Sequence, residues 1–327
     1  MTRVAILDDY QRAALRLAPF DRLPAGCEIT VFDAPFDGAA GPAPADGAPD
    51  PASEALAPFD VVCCMRERTR FDATRLARLP NLKLLVTTGA RNAAIDVAAA
   101  NARGVTVCGT RSPGHAASEL AWALVLGLSR QLVAEDAAMR AGRWQTTIGR
   151  DLKGRTLGLV GLGRHGANVA RYGQAFGMRV VAWSTNLTDE RCAEVGVERV
   201  SREALFGEAD VVSVHLVTGT RNVGLIGAHE LSLMKPDAIL VNVSRGPIVD
   251  ETALLEALRA GTIGGAGLDV YDVEPLPADH PLRSAPNTLL TSHVGFVTEE
   301  TYRIFHGETV EAIEAWLAGA PVRVIGG

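Results

Sequence analysis

Arg155-Thr-Leu-Gly-Leu-Val-Gly-Leu-Gly-Arg-His-Gly-Ala-Asn-Val-Ala-Arg171 is the stretch on which the reading of this sequence turns. Thr156 to Val160 is a short apolar run, Gly161, Gly163 and Gly166 spell G-x-G-x-x-G, and Ala167 to Phe176 has helical spacing closed by Gly177. The order is strand, glycine turn, helix. Each glycine has a task if a dinucleotide lies here. The first permits the tight turn, the second lets the backbone approach a pyrophosphate, and the third lets helix pack on strand. The helix start adds N–H groups and a positive dipole end for the phosphates. Arg164 and His165, between the second and third glycines, belong to the same candidate cofactor site.

Outward toward the C-terminus, apolar runs at Thr156–Val160, Arg179–Ala182, Val211–Val214, Ile239–Val243, Gly265–Val270 and Thr288–Thr291 alternate with helical patterns. Six strands are the number of a full dinucleotide-binding sheet. A helical pattern then runs from Glu299 to Leu317 and closes at Gly319. Outward toward the N-terminus, strands are expected at Val4–Leu7, Glu28–Phe32, Val61–Met65, Leu82–Thr87 and Thr106–Cys108. The fold class is therefore α/β with two doubly wound parallel-sheet domains, one a Rossmann nucleotide-binding domain and the other flavodoxin-like. The expected boundaries are 1–104 plus 295–327 for a discontinuous substrate domain, the last helix crossing back, and 105–294 for the nucleotide domain.

Two stretches break the pattern. Asp33 to Pro51 is so rich in Ala, Gly and Pro that it reads as a mobile surface loop unable to bury a face. Ser112 to Leu132 reads as one long helix, apolar on more than one side, suited to joining domains or subunits.

The chain has 327 residues, enough for two cores, and a formal net charge of −6 with arginines scattered among acids. No long basic run favours nucleic acid. No apolar stretch reaches the roughly 18 residues of a membrane span, and Met1-Thr-Arg-Val-Ala-Ile-Leu-Asp lacks a signal-peptide layout. Its five cysteines have no C-x-x-C spacing, and no H-E-x-x-H occurs, so neither disulfide nor metal is expected. A cytoplasmic protein is expected.

Ligands of open parallel sheets bind beyond the carboxyl ends of the strands. Asn242-Val-Ser-Arg-Gly246 puts Arg245 there after the fourth strand, Gly267-Leu-Asp-Val-Tyr-Asp-Val-Glu-Pro275 puts Asp269 and Glu274 after the fifth, and Thr291-Ser-His-Val-Gly295 puts His293 after the sixth. Arginine, carboxylate and histidine suit carbonyl reduction. The arginine grips a carboxylate through two parallel hydrogen bonds, the histidine donates the proton that a new alkoxide needs, and a neighbouring glutamate favours the protonated ring.

With V-G-L-G-R-H-G, N-V-S-R-G-P-I-V-D, G-A-G-L-D-V-Y-D-V-E-P-L and T-S-H-V-G in place, the chain resembles the D-2-hydroxyacid dehydrogenases over essentially its whole length except 33–51. That resemblance implies Arg245 for the substrate carboxylate, His293 as proton donor or acceptor, Glu274 as its partner, and Asp269 near the nicotinamide ring. It implies that the loop carrying Gly89, Ala90 and Arg91 offers amides to the substrate carboxylate. It also implies a small 2-keto or 2-hydroxy acid as substrate and a homodimer formed through the nucleotide-binding domains.

Two positions depart from the family pattern. Ser292 stands where proline is usual, and Ser184 stands where an acid is expected to bind the adenosine ribose. NAD or NADP is the expected cofactor. Ser184, Thr185 and Asn186 can donate hydrogen bonds to a 2′-phosphate, with Arg164 adding charge, so NADPH is expected to be accepted with some preference over NADH. Two alternatives remain. A formate dehydrogenase-like enzyme would carry glutamine in place of Glu274, and a nucleotide-sensing corepressor or scaffold would keep the fold without turnover.

Overall fold

The computed structural model describes residues 1–36, 40–44, 48–217 and 219–326. These form two compact units, one of Met1–Pro113 with Val297–Gly327 and the other of Gly114–Phe296. The first join lies beyond residue 104, because Thr106–Gly109 is a strand of the first sheet.

That sheet comprises β1 (Thr2–Ile6), β2 (Cys27–Val31), β3 (Val61–Cys64), β4 (Leu84–Thr87) and β5 (Thr106–Gly109), paired in parallel in the order β2-β1-β3-β4-β5. This is the flavodoxin order. β3 and β4 are buried at every position, as Val-Val-Cys-Cys and Leu-Leu-Val-Thr must be when helices cover both faces of a parallel sheet. The helix Glu299–Leu317 starts at Thr298, whose hydroxyl accepts the Thr301 N–H at 3.2 Å, and packs Val310, Ala312 and Ile313 against Val4, Ile6, Val61 and Leu84. Buried Glu308 on this helix accepts from Arg111 N–H at 2.7 Å and Nε at 2.5 Å. Beyond the helix, the chain bridges β5 at Cys108 and Val324. Long-range polar ties of this kind fix the discontinuous segment to its unit.

The stretch 33–51 departs from expectation, although 37–39 and 45–47 lie outside the described residues. Asp50 is buried and ion-paired at 3.0 Å with Arg75, which is 0% exposed. Arg75 and Arg78 also donate to carbonyls at Gly41, Pro44 and Ala48, and Asp72 accepts the Ala43 N–H at 2.9 Å. A segment with few apolar side chains is thus anchored through its backbone carbonyls by two arginines of a neighbouring element.

The second sheet comprises β6 (Thr156–Val160), β7 (Arg179–Trp183), β8 (Glu198–Arg199), β9 (Val211–Val214), β10 (Ile239–Asn242), β11 (Gly265–Leu268) and β12 (Thr288–Leu290), all parallel, in the order β12-β11-β10-β9-β6-β7-β8. The direction of winding reverses between β6 and β9, which opens the crevice where nucleotides bind in doubly wound sheets. Seven strands replace the expected six. The extra one, β8, is a two-residue exposed edge of Glu and Arg, which carries no apolar signal and suits an edge that must not pair further.

The expected helix at 112–132 is shorter, running over Ala116–Ser129. It breaks at Gln131, whose φ is +52°, before a second helix at Leu132–Arg140. Its apolar faces are satisfied inside its own unit. Leu124 and Leu128 meet the sheet at Gly267, and Trp122 packs edge-on against Phe176 at 5.0 Å. The exposed apolar side chains come later, at Trp144 (73% exposed) and Ile148 (96%).

Candidate active site

The glycine turn follows β6, and the helix after it spans Arg164–Ala175. Gly161 has φ +102°, and a Cβ there would lie 2.7 Å from the His215 carbonyl oxygen at the exit of β9. A Cβ on Gly166 would lie 2.2 Å from the Gly161 carbonyl oxygen. A Cβ on Gly163 would meet nothing within 4 Å. The first and third glycines are therefore demanded by the protein's own packing, while the second faces open space where a ligand backbone can approach. Gly163 is also the N-cap and supplies no side-chain acceptor to the first turn. A helix start left uncapped beside an open glycine fits a dinucleotide pyrophosphate.

His165 Nδ1 lies 3.1 Å from the hydroxyl of buried Ser118, which fixes its ring. The Arg164 guanidinium packs against Gly114. His215, which the sequence reading missed, places Nε2 at 2.9 Å from Ser213 Oγ, and burial together with nearby His165 pushes its ring down to about 3. A neutral imidazole thus underlies the turn. Ser184 is half-buried past the end of β7, with Thr185 and Asn186 exposed beside it.

At the other side of the crevice Arg245, Glu274 and His293 come together. Asn242, at the end of β10, donates from Nδ2 to the Arg245 carbonyl at 2.9 Å and accepts the Ser244 N–H at 3.0 Å, which shapes the arginine's loop. Gly246 lets this loop press on Tyr271, whose carbonyl carbon would lie 2.0 Å from a Cβ there. Tyr271 in turn donates its hydroxyl to the Thr291 carbonyl at 2.8 Å, and burial pushes that phenol up to about 12.

His293 Nδ1 stands 2.5 Å from Glu274 Oε2, and Glu274 Oε1 accepts the Tyr271 N–H at 3.0 Å. Burial alone would raise the Glu274 carboxyl. The His293 hydrogen bond and charge, the Tyr271 N–H and the Arg245 charge outweigh it, and the carboxyl is held below its ordinary value. A carboxylate locked to one ring nitrogen leaves the imidazole's other nitrogen for a ligand.

Asp269 has a task the sequence did not disclose. It is 1% exposed. Its Oδ1 accepts from the Thr291 hydroxyl at 2.6 Å and the Val294 N–H at 2.8 Å, and its Oδ2 from the Gly295 N–H at 2.8 Å. Its backbone carbonyl accepts the His293 N–H at 2.7 Å. Burial raises its carboxyl, although these donors and the His293 charge oppose the rise. His293 has φ +53°, a conformation that costs a non-glycine residue about 1–3 kcal/mol and persists where the surroundings over-determine it. Asp269 is what over-determines it, so its first role is to hold the histidine loop.

In the other unit, the loop after β4 carries Gly89, Ala90 and Arg91. The Gly89 N–H is already donated to Thr110 Oγ1 at 2.8 Å, which leaves exposed Ala90 and Arg91 as the positions open to a ligand. Buried Asn92 shapes the loop by donating to Thr87 Oγ1 at 2.8 Å and to the Arg66 carbonyl at 2.5 Å. Arg68 stacks on the Tyr10 ring at 4.6 Å. Among the described residues no helix is long and apolar enough to cross a membrane, and no group of three His, Cys, Asp or Glu side chains gathers as metal ligands.

Comparison with known proteins agrees with this geometry. Residues 122–295 match the profile of the D-isomer specific 2-hydroxyacid dehydrogenase NAD-binding domain. The chain is 40% identical over 244 residues to a glyoxylate reductase of Aeropyrum pernix, covering 71% of this chain and 72% of that one. It is 39% identical over 258 residues to a D-3-phosphoglycerate dehydrogenase of Mycobacterium leprae, covering 78% of this chain but only 49% of that relative. The chain thus spans about half the length of that curated relative. A phosphoglycerate oxidoreductase structure from Vibrio cholerae superposes with a TM-score of 0.87 at 35% identity, covering 98% of this chain and 100% of that one.

Proposed function

This chain belongs to the D-isomer specific 2-hydroxyacid dehydrogenases, and from that membership and the geometry of its site we propose that it interconverts a small 2-keto acid and the D-2-hydroxy acid. The observation that carries the reading is the 2.5 Å contact between His293 and Glu274 with Arg245 beside them, in the unit that holds the open glycine turn.

Gly161, Gly163, Arg164, His165 and Gly166 would hold the pyrophosphate, and Ser184, Thr185 and Asn186 the adenosine ribose. The bound nicotinamide supplies or accepts the hydride. Arg245 grips the substrate carboxylate through its planar fork and thereby fixes the adjoining carbonyl. His293 gives its proton to the carbonyl oxygen during reduction and takes it back during oxidation. Glu274 aligns the imidazole through its 2.5 Å contact with Nδ1. Asp269 keeps the histidine in position. In the first unit, substrate contact is assigned to the loop of Gly89, Ala90 and Arg91, with the amides of the last two as donors.

The names of the relatives bracket the substrate between glyoxylate-like and phosphoglycerate-like acids. NADPH is accepted, with some preference over NADH, because Ser184 rather than a carboxylate stands directly after β7. Exposed Trp144 and Ile148 are assigned to a homodimer contact, and Trp144→Glu with Ile148→Glu should shift the mass measured by light scattering from dimer to monomer. A panel of 2-keto acids assayed with NADH and NADPH tests the enzyme reading. Cofactor binding without turnover of any of them would favour a nucleotide-sensing corepressor or scaffold. The formate dehydrogenase-like alternative is disfavoured by Glu274, whose paired histidine has a proton to move.

A further inference from the structure

The sequence offers no arginine directly after Ser184, yet the fold brings one back to the same place. β6 and β7 lie side by side, and the Gly161 N–H donates to the Trp183 carbonyl at 2.9 Å, so the glycine turn and the exit of β7 are neighbours. Past Trp183 the chain closes a turn, Leu187 N–H to Ser184 carbonyl at 3.1 Å, and buries Leu187. Thr188 then accepts the Arg191 N–H at 3.2 Å at the start of the helix Asp189–Val195. From that helix Arg191 reaches back and donates from Nε to the carbonyl of Leu162, the residue between Gly161 and Gly163, at 3.1 Å. Its guanidinium therefore spans the gap between the glycine turn and the segment after β7, where the adenosine ribose is read in this kind of sheet.

Of the neighbouring cations, Arg202 pairs with buried Glu230 at 2.9 Å and stacks on Trp183, whereas Arg199 pairs with exposed Asp189 at 3.2 Å and Arg164 packs on Gly114. Arg191 is set apart by its bond from beyond β7 to the glycine turn. Its side chain is 39% exposed, and its ionic partner is Glu194 at 2.9 Å, itself 66% exposed. A solvated pair of that kind is worth little and yields readily to a dianion. The guanidinium has five N–H donors, so the bond to Leu162 leaves a prong to grip phosphate oxygens.

We propose that Arg191 is the specificity-determining cation for the cofactor's 2′-position, pairing with a 2′-phosphate while its Nε stays on Leu162. This rests on the glycine turn being the dinucleotide site. Ser184, Thr185 and Asn186 add hydroxyl and amide donors around the same group, and Glu194 competes for the guanidinium when no phosphate is there.

The test is titration calorimetry with 2′,5′-ADP and 5′-AMP, which needs no turnover, on wild type, Arg191→Ala, Arg191→Lys and Glu194→Gln, with melting temperatures recorded. Arg191→Ala should weaken 2′,5′-ADP by about 10-fold or more, the scale of a charge-assisted contact, and change 5′-AMP by less than about 3-fold. Arg191→Lys should recover only part of the loss, and Glu194→Gln should tighten 2′,5′-ADP. The kcat/KM ratio of NADPH to NADH should follow the same order. Equal weakening of both nucleotides in Arg191→Ala would reduce the residue to a brace for the glycine turn and overturn the proposal, as would unchanged binding of both. If wild type binds neither nucleotide, the dinucleotide site itself is refuted and this assignment falls with it.

Discussion

Gly163 and Gly166 sit three residues apart in one motif, yet the structure gives alanine different consequences at each. At Gly166 a methyl would lie 2.2 Å from the Gly161 carbonyl oxygen, and Gly161 cannot retreat, because its own Cβ position lies 2.7 Å from the His215 carbonyl oxygen. Overpacking of this kind costs about 1–3 kcal/mol, which for a unit of this size is a fall of roughly 2–12 °C in melting temperature. At Gly163, φ is −73° and the methyl enters open space, so only the modest difference between glycine and alanine as N-cap, about 1 kcal/mol or less, affects the fold. If a pyrophosphate occupies that space, the same methyl meets it, and NADH or NADPH affinity should fall by about 10-fold or more. Thermal melts of the ligand-free variants together with cofactor titration measure both effects. Gly163→Ala that binds cofactor like wild type would refute the placement of the dinucleotide over the second glycine. Gly166→Ala that melts with wild type would refute the rigidity assigned to the turn.

Further outcomes follow from the site and the core. His293→Ala should lower kcat by about 10²–10⁴-fold with cofactor affinity nearly unchanged. Glu274→Gln should lower kcat, because the carboxylate that holds the imidazole at 2.5 Å is gone, and unchanged turnover would remove Glu274 from its role. Arg245→Ala should cost far more in kcat/KM than in melting temperature, and Arg245→Lys should recover little. Near-complete rescue by lysine would indicate that charge suffices without the planar fork. Arg75→Ala leaves Asp50 buried and unpaired and should cost its unit about 3–5 kcal/mol in denaturant unfolding. Arg75 and Ser53 hold the Asp50 carboxyl below its ordinary value against the opposing effect of burial. The stability it contributes is therefore present above its unfolded value of about 4 and is lost as pH falls through the lower folded value. Asp50→Asn should accordingly flatten the acid limb of stability, and an unchanged limb would count against the pairing.

The fold class was legible in the chain alone, as was the placement of Arg245, Glu274 and His293 past strand ends, where the structure brings them together. Apolar runs alternating with helical patterns and glycine turns are local signals, and a residue that follows a strand in sequence follows it in space, so Arg245, Glu274 and His293 were legible from their places at strand ends. What joins distant parts of the chain was not legible. Asp269 reads from the sequence as a cofactor-site acid after a strand, and only tertiary structure turns it toward donors 22–26 residues further on. Asn242 and Tyr271 brace neighbouring loops in the same hidden way. The stretch 33–51 is mostly Ala, Gly and Pro, so its composition registered a mobile surface loop where Arg75 and Arg78 bind its carbonyls and Arg75 pairs with Asp50. β8 is two charged residues paired to β7 through its backbone and the Arg179–Glu198 salt bridge at 2.7 Å, and the break at Gln131 is a single left-handed residue inside an apolar pattern. Burial of apolar faces leaves a periodic trace in sequence. Directional polar pairing between remote residues leaves none, and here it is such pairing that sets the histidine loop, the arginine loop and the reach of Arg191 to the glycine turn.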